Sequence, residues 1–299
     1  MSKIQNIAIV TASLGRPDNL AVLLDRLALQ TLLPRQVIFS MESEADAPPE
    51  VKMPFLVQRI FGPRGACVQR NRALDIVAPE IELVVFYDDD FVPSRYSLER
   101  MAQFFDENPD VGGAEGLVLA DGNLGPGITP QEAVRLVDAA DAAEDGVGAA
   151  RPFEILARLP GLYGCNMVYR AELIRDVRFD EALPLYAWME DQDFGGRIAA
   201  PQVQTSAFQG VHCAEKRGRE RNGRKYGYSQ MCNPIYMLRK GTISRKKAHV
   251  QMLRNFLANH AKVFRPEPWV DRRGRVAGNW LALWDILRGR VTPGRIREL

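Results

Sequence analysis

Long hydrophobic runs are missing from this chain. None approaches the ~20 apolar residues that cross a bilayer, and no basic-then-apolar leader opens the sequence. A membrane-spanning or secreted protein is therefore not expected, and the default location is cytoplasmic, at most peripheral at the inner face of the cell membrane. Cysteine is scarce: Cys67, Cys165, Cys213 and Cys232 show neither CxxC spacing nor a paired framework. Zinc ribbons and disulfide scaffolds drop out, and the four read as reduced, partly buried thiols. There is no internal repeat and no long linker, which excludes solenoids and bead-like arrays. A large excess of one charge is also lacking, the formal net charge being +2.

What is present is ordinary at first sight. The 299 residues are 46% hydrophobic and 25% charged, enough for one large α/β domain or two small ones. The near-neutral total hides an asymmetry. Residues 213–299 hold 21 Lys and Arg against 6 Asp and Glu, leaving 18 against 31 in the remainder. A basic tail on an acidic body suits a phosphate-bearing partner such as a nucleotide, a nucleic acid or an anionic lipid. A solvated, salt-bridged helical surface would have the same composition.

Strands are predicted at Ile4–Val10, Gln36–Ser40, Phe55–Phe61 and Ile81–Tyr87. Between them, Asp18 stands where a helix N-cap belongs before Leu20, Leu23, Leu24 and Leu27, and a second helix is predicted from Ala66 to Val77. This alternation argues a mostly parallel sheet with helices on both faces, whose ligands bind beyond the carboxyl ends of the strands. Residues 131–150 predict a further helix, Met167–Tyr169 a short strand, and the Gly- and Arg-rich run Lys216–Tyr228 a mobile loop. That run carries Lys216, Arg217, Arg219, Arg221, Arg224 and Lys225, suited to closing over a pyrophosphate or to holding a lipid diphosphate. Helices continue almost to the end, so the reading is one domain with a helical C-terminal extension. Trp269, Trp280 and Trp284 lie among its arginines, which suits an interfacial surface, although buried core tryptophans are commoner.

Asp88, Asp89 and Asp90 close the fourth strand, and Phe91, Val92 and Pro93 follow, the proline marking where the run must stop. Three carboxylates at a strand end repel one another. A hard divalent cation relieves that repulsion, and Mg²⁺ is typically held by one or two carboxylates plus substrate phosphates. The competing reading is an acidic turn or cap beside Ser94. Glu190 and Asp191 open a predicted helix whose positive end favours their charge, which a merely well-capped helix would also explain. His212 follows a predicted strand, and imidazole joins carboxylate oxygens around metals such as Mn²⁺.

In that order, a strand-end Asp triplet, the Gly164-Cys165-Asn166 segment, Glu190-Asp191 and then His212, the sequence resembles the family 2 glycosyltransferases with the GT-A fold. The likeness covers roughly residues 4–240, leaving 241–299 as a basic helical extension packed on the same domain. Asp88-Asp89-Asp90 looks like the family's DxD element and Glu190-Asp191 like its ED element. The stretch GPRGACVQRNRAL (62–74), with Arg64, Arg70 and Asn71, is similar to the segment before the DxD strand.

The resemblance implies that Asp90 coordinates Mn²⁺ or Mg²⁺, with His212 as an additional ligand. It implies that Asp88 faces the donor's ribose or sugar, while Asp89 receives no firm role. Asp191 matches the base of inverting members, with Glu190 beside it at the acceptor, and Asn166 joins the donor set. Two departures stand out. The family's second strand usually ends in an aspartate that reads the nucleobase, whereas here Ser40 or Glu42 must substitute, or the base is held differently. The first loop is also longer than usual, with Thr11, Ser13 and Arg16 as nucleotide contacts. The implied reaction is inverting transfer from a nucleotide diphosphate sugar, UDP by family default, to a saccharide or polyprenyl-diphosphate-linked acceptor in surface polysaccharide synthesis. A sugar nucleotidyltransferase would want an activating Lys or Arg after the first strand, and a nucleic-acid-binding protein leaves both acidic motifs unexplained.

Overall fold

The apolar runs of the first hundred residues become strands β1 (Ile7–Ala12), β2 (Gln36–Met41), β3 (Leu56–Phe61) and β4 (Leu83–Tyr87) in the computed structural model. It describes residues 2–145, 152–214, 216 and 222–299. These form two compact units, one of Met1–Arg64, Val68–Arg178 and Ile198–Glu215, the other of Gly65–Cys67, Phe179–Arg197 and Lys216–Leu299.

The first unit is built on one sheet. To β1–β4 it adds β5 (Phe91–Pro93), β6 (Gly113–Asp121), β7 (Ile155–Leu159), β8 (Asn166–Arg170) and β9 (Gln202–His212), in the order β3-β2-β1-β4-β8-β6-β9-β5, with β7 also on β9. The first four strands are mutually parallel, as the alternation of strand and helix predicts. Beyond β4 the sheet is mixed: β8 runs antiparallel to β4 and β6, while β6 and β9 are parallel. Strands β2 and β4 are buried throughout, which is why β4 reads as an unbroken apolar run and β2 carries Val37, Ile38 and Phe39 in succession rather than alternating.

Helices α1 (Pro17–Ala28), α2 (Ala66–Leu74), α3 (Ser97–Glu107), α4 (Pro130–Asp145) and α5 (Ala171–Ile174) complete this part of the chain. Leu20, Leu23, Leu24 and Leu27 of α1 pack into one core with Phe39, Val85, Leu98, Met101 and Phe105. Each such leucine contributes about 1.5–3 kcal/mol by leaving water, so four on one face are ample to dock a twelve-residue helix.

Several boundaries differ from the sequence reading. Arg16, not Asp18, holds the N-cap position of α1, because Pro17 with its fixed φ takes the first helical place; Asp18 falls in the first turn. Helix α2 ends at Leu74 rather than Val77, and Pro79 disfavours helical backbone just before it. Pro93 does not end β4. The strand stops at Tyr87, the aspartates turn, and Pro93 closes the separate three-residue strand β5, paired to β9 on one side only, where a missing N–H is tolerated. Residues 146–150 of the predicted fourth helix lie outside the described residues.

The second unit is helical: α6 (Glu190–Gly195), α7 (Gly223–Lys240), α8 (Arg245–Lys262) and α9 (Arg272–Leu287). Its tyrosine, methionine and cysteine core, Tyr228, Met231, Cys232 and Ala282, lies between α7 and α9. Here the expected loop at 216–228 is corrected, because residues 223–228 are helical. The glycines serve close packing. A Cβ on Gly227 would lie 2.1 Å from the carbonyl oxygen of Arg275, and one on Gly278 would lie 2.1 Å from that of Arg224. Only glycine lets the two backbones approach so closely. Arg217, Arg219 and Arg221 lie outside the described residues. Among the described residues no helix is long and apolar enough to cross a membrane.

Candidate functional site

Strand β1 pairs with β2 on one side and β4 on the other. The chain winds away from β1 in both directions, so the crevice beyond the carboxyl ends of β1 and β4 is a topological switch point, where ligands of open α/β sheets bind. The β1 end supplies Ser13 and Arg16, and the β4 end supplies the aspartates. Ser13 Oγ donates to Asp89 Oδ2 at 2.6 Å, while Arg16 Nη1 lies 2.7 Å from Asp89 Oδ1 and 3.2 Å from Asp90 Oδ2. From α2, Arg70 Nη2 reaches Asp88 Oδ1 at 2.9 Å. The repulsion among three carboxylates is thus partly met by two guanidiniums, so it does not by itself require a metal.

His212, the last residue of β9, pairs with Phe91 on one side and Asp121 on the other. Its Nε2 faces Asp90 Oδ1 at 3.5 Å and Asp88 Oδ2 at 4.0 Å, the oxygens turned away from the arginines. One ligand atom each from Asp88, Asp90 and His212 fall within 4.8 Å of one another. Around an ion bound at about 2.1 Å, ligands sit roughly 3–4.2 Å apart, so this O,O,N set could hold a divalent cation after a small inward shift. Asp88 lies with Asp90 and His212, the two ligands that the resemblance implies.

The other ring nitrogen is fixed. His212 Nδ1 lies 3.0 Å from Asp121 Oδ1, which also accepts from the backbone N–H of Asn123 at 2.9 Å. Tyr163 Oη donates to Asp121 Oδ2 at 3.2 Å and itself accepts from Asn123 Nδ2 at 2.6 Å. A carboxylate only accepts, so Nδ1 carries a proton towards Asp121, and Nε2, protonated as well while the ring is charged, faces the aspartates; a cation held there would displace the Nε2 proton and leave Nδ1–H on Asp121, the arrangement that orients metal-binding histidines.

Burial opposes charging of His212, but hydrogen bonds to Asp121 and Asp90 and the nearby carboxylates outweigh it, raising its pKa to about 10. Burial pushes Asp89 up to about 7, with Arg16 pulling the other way. For Asp121, burial is overcome by the His212 hydrogen bond, which holds the carboxyl below its usual range.

The remaining predicted residues have distinct places. Asn166 heads β8 opposite Tyr87; it is 1% exposed, and neither its Nδ2 nor its Oδ1 has a hydrogen-bond partner. A buried amide with both ends unpaired is costly and points to a ligand group. Thr11 is fully buried with its hydroxyl unpaired, and Asn71 is buried on α2. Ser40 is also fully buried: its carbonyl accepts from Ser13 N and Gln69 Nε2, and its Oγ accepts from Arg72 Nη1 at 3.3 Å. It props the first loop from within. Glu42 and Arg64 are exposed on the loops that follow β2 and β3.

Sequence reasoning missed Asp46. It is buried just beyond β2, accepts from Gly15 N at 2.6 Å, and takes the Ser43 N–H at 3.0 Å. Gly15 sits at φ 66°, a left-handed turn that glycine allows, so Asp46 clamps the long first loop. The Ser43-x-x-Asp46 spacing of a capping box was the available signal. Asp121, Asn123 and Tyr163 were also missed, and nothing in the sequence marks them without the β6·β9 register.

Glu190 and Asp191 belong to the second unit and open α6, where Asp191 Oδ1 accepts from Gln192 N at 2.7 Å. The segment before them is strained: Leu185, Ala187 and Met189 have φ of 59°, 45° and 71°. Each such non-glycine residue costs about 1–3 kcal/mol, a strain found where geometry is imposed for function. Asp193 anchors the helix, its buried carboxylate meeting Lys240 Nζ at 2.7 Å and Thr242 Oγ1 at 2.7 Å.

Among solved structures, S. aureus TarS 1-349 matches with a TM-score of 0.57 and 17% identity over 98% of this chain and 83% of that one. S. aureus TarS 1-349 in complex with UDP matches with a TM-score of 0.50 and 15% identity over 87% and 72%. The fold is that of the GT-A glycosyltransferases. At these identities the likeness speaks for the fold alone. No protein-family model and no curated protein matches the sequence.

Proposed function

We infer that this chain is an inverting, metal-dependent glycosyltransferase that moves a sugar from a nucleotide diphosphate sugar to a hydroxyl of a saccharide or lipid-linked acceptor. The observation that carries the reading is the Asp88, Asp90 and His212 group at the switch point of a GT-A fold. The UDP held by one S. aureus TarS structure favours a uridine diphosphate carrier. Asp88, Asp90 and His212 would hold Mn²⁺ or Mg²⁺, which when bound neutralises the charge developing on a departing diphosphate.

Arg16 and Arg70 bring two guanidiniums to the same edge, and their planar forks suit phosphate oxygens. Asn166 offers an unpaired donor and acceptor to a hydroxyl of the sugar or ribose. Asp46, by fixing Gly15, holds the loop on which Ser13 and Arg16 ride. Asp191 takes the acceptor hydroxyl's proton while that oxygen bonds to the anomeric carbon and the bond to the diphosphate breaks. A single displacement of this kind inverts the configuration, and Glu190 stands beside it at the acceptor. An acceptor linked through polyprenyl diphosphate, as in surface polysaccharide assembly, agrees with the basic C-terminal region.

Calorimetric titration of UDP tests the reading. Binding is expected in Mn²⁺, loss with a chelator, and marked weakening in Asp90→Ala. Equal affinity in all three would reject metal-assisted donor binding. The anomeric configuration of the transferred sugar, read by NMR, decides inversion.

A further inference from the structure

Helices α8 and α9 carry exposed apolar side chains at helical spacing. Val250, Leu253 and Leu257 line one face of α8 and are 48%, 58% and 57% exposed. On α9, Trp280, Trp284 and Leu287 do the same at 57%, 52% and 81%. The stripes adjoin, since Trp280 donates from Nε1 to His260 Nε2 at 2.9 Å and meets the Phe256 ring edge-on at 5.5 Å. Phe264, just past α8, extends the patch. Scattered exposed apolar residues need no explanation, but a contiguous stripe on two packed helices marks a binding face.

The rim identifies the occupant. Residues 241–299 hold 13 Lys and Arg against 4 Asp and Glu. Of those acids, Glu267 is paired to Lys262 and Arg272, Asp285 is buried against Arg295, and Asp271 caps α9. Lys246, Arg254, Arg265, Arg273 and Arg288 are all exposed, and the Arg288 guanidinium lies 4.2 Å over the Trp284 ring. A second copy of this face would set the basic rim against itself across a two-fold axis.

We propose that α8 and α9 dock flat on an anionic lipid bilayer, the apolar stripe at the acyl boundary and the Lys and Arg side chains among the headgroups. Tryptophan suits that depth, with an apolar ring and an N–H that finds a polar partner, His260 in the case of Trp280. Both helices belong to the second unit, and docking by this face requires no donor.

The full chain, without nucleotide, is floated with vesicles of phosphatidylcholine alone and of phosphatidylcholine mixed with phosphatidylglycerol. Retention is expected on the anionic vesicles, falling with added salt, together with a blue shift of tryptophan fluorescence. The variant Leu253→Ser/Leu257→Ser/Trp284→Ser should bind about tenfold more weakly or less, because each side chain lost removes apolar burial at the interface. A thermal melt confirms that it folds, and Arg254→Gln/Arg288→Gln, which spares the stripe, should remove much of the salt dependence. Equal retention on neutral vesicles, or none on either, overturns the proposal. So does a concentration-dependent dimer in sedimentation that the serine variant abolishes, which would assign the face to a second copy.

Discussion

Asp121 touches none of the expected ligands except through His212, and this makes it the sharpest probe of the metal centre. Its Oδ1 receives the Nδ1 proton of His212 at 3.0 Å, and its side chain is 22% exposed. Asp121→Asn keeps a carbonyl oxygen able to accept that proton but removes the charge that makes the imidazole more basic. Asp121→Ala removes both and leaves the Asn123 N–H and the Tyr163 hydroxyl short of an acceptor. Partners of this kind are worth about 10–100-fold in metal affinity, or roughly 1.4–2.8 kcal/mol. The Asn variant should fall near the lower figure and the Ala variant near the upper. The assay is Mn²⁺ titration followed by electron paramagnetic resonance of the free ion, with a urea melt to register the fold. A loss of stability of about 1–3 kcal/mol is expected for the Ala variant from its unsatisfied donors. Unchanged Mn²⁺ affinity in both folded variants would refute the reasoning, because an oriented Nε2 would then not matter to the ion.

Three further outcomes are expected. Asp191→Asn should keep UDP affinity and lose about 10²–10⁴-fold in turnover, since asparagine keeps the shape without accepting a proton; normal turnover would move the base to Glu190. Asp193→Ala should destabilise the chain by about 1–3 kcal/mol in urea, because it takes the carboxylate acceptor from the Thr242 hydroxyl while Lys240 keeps Asp180 at 2.6 Å, and a change within error would mean that α6 is held by other contacts. Hydrogen bonds from Arg272, against a small burial cost and with help from Lys262, hold the Glu267 carboxyl well below its usual range. That contribution is present above the unfolded carboxylate pKa of about 4.3 and fades as pH falls towards the folded one, so Glu267→Gln should lower the melting temperature at pH 7 and flatten the acid limb of stability against pH.

The parallel half of the sheet was legible because each strand carries successive β-branched or aromatic residues, such as Val37-Ile38-Phe39 and Val84-Val85-Phe86, and the leucines of α1 repeat at helical spacing. Legibility failed where composition stood in for geometry. Lys216–Tyr228 has the glycines and arginines of a mobile segment, yet Gly227 and Gly278 are where two helix backbones meet, and close packing uses the same residue type as flexibility. The single-residue misplacement at Asp18 is of another kind: two good first-turn signals, Pro17 and Asp18, compete for one place, and the proline's fixed φ decides.

In the site, sequence adjacency revealed the triplet but not what each oxygen does. Asp88 and Asp90 each present one oxygen to an arginine and the other toward His212, a division set by the positions of α2 and the first loop and invisible in three identical letters. Repulsion, the argument that drew attention to the triplet, turns out to be the weaker one, since Arg16 and Arg70 already relieve it. What carries the metal reading is the direction of one imidazole ring, and that direction depends on Asp121 standing opposite His212 in the β6·β9 register. A residue ninety positions away in the chain thus sets whether three nearby side chains act as ligands or as an ordinary ion-pair network, which is why the Asp121 substitutions separate the two.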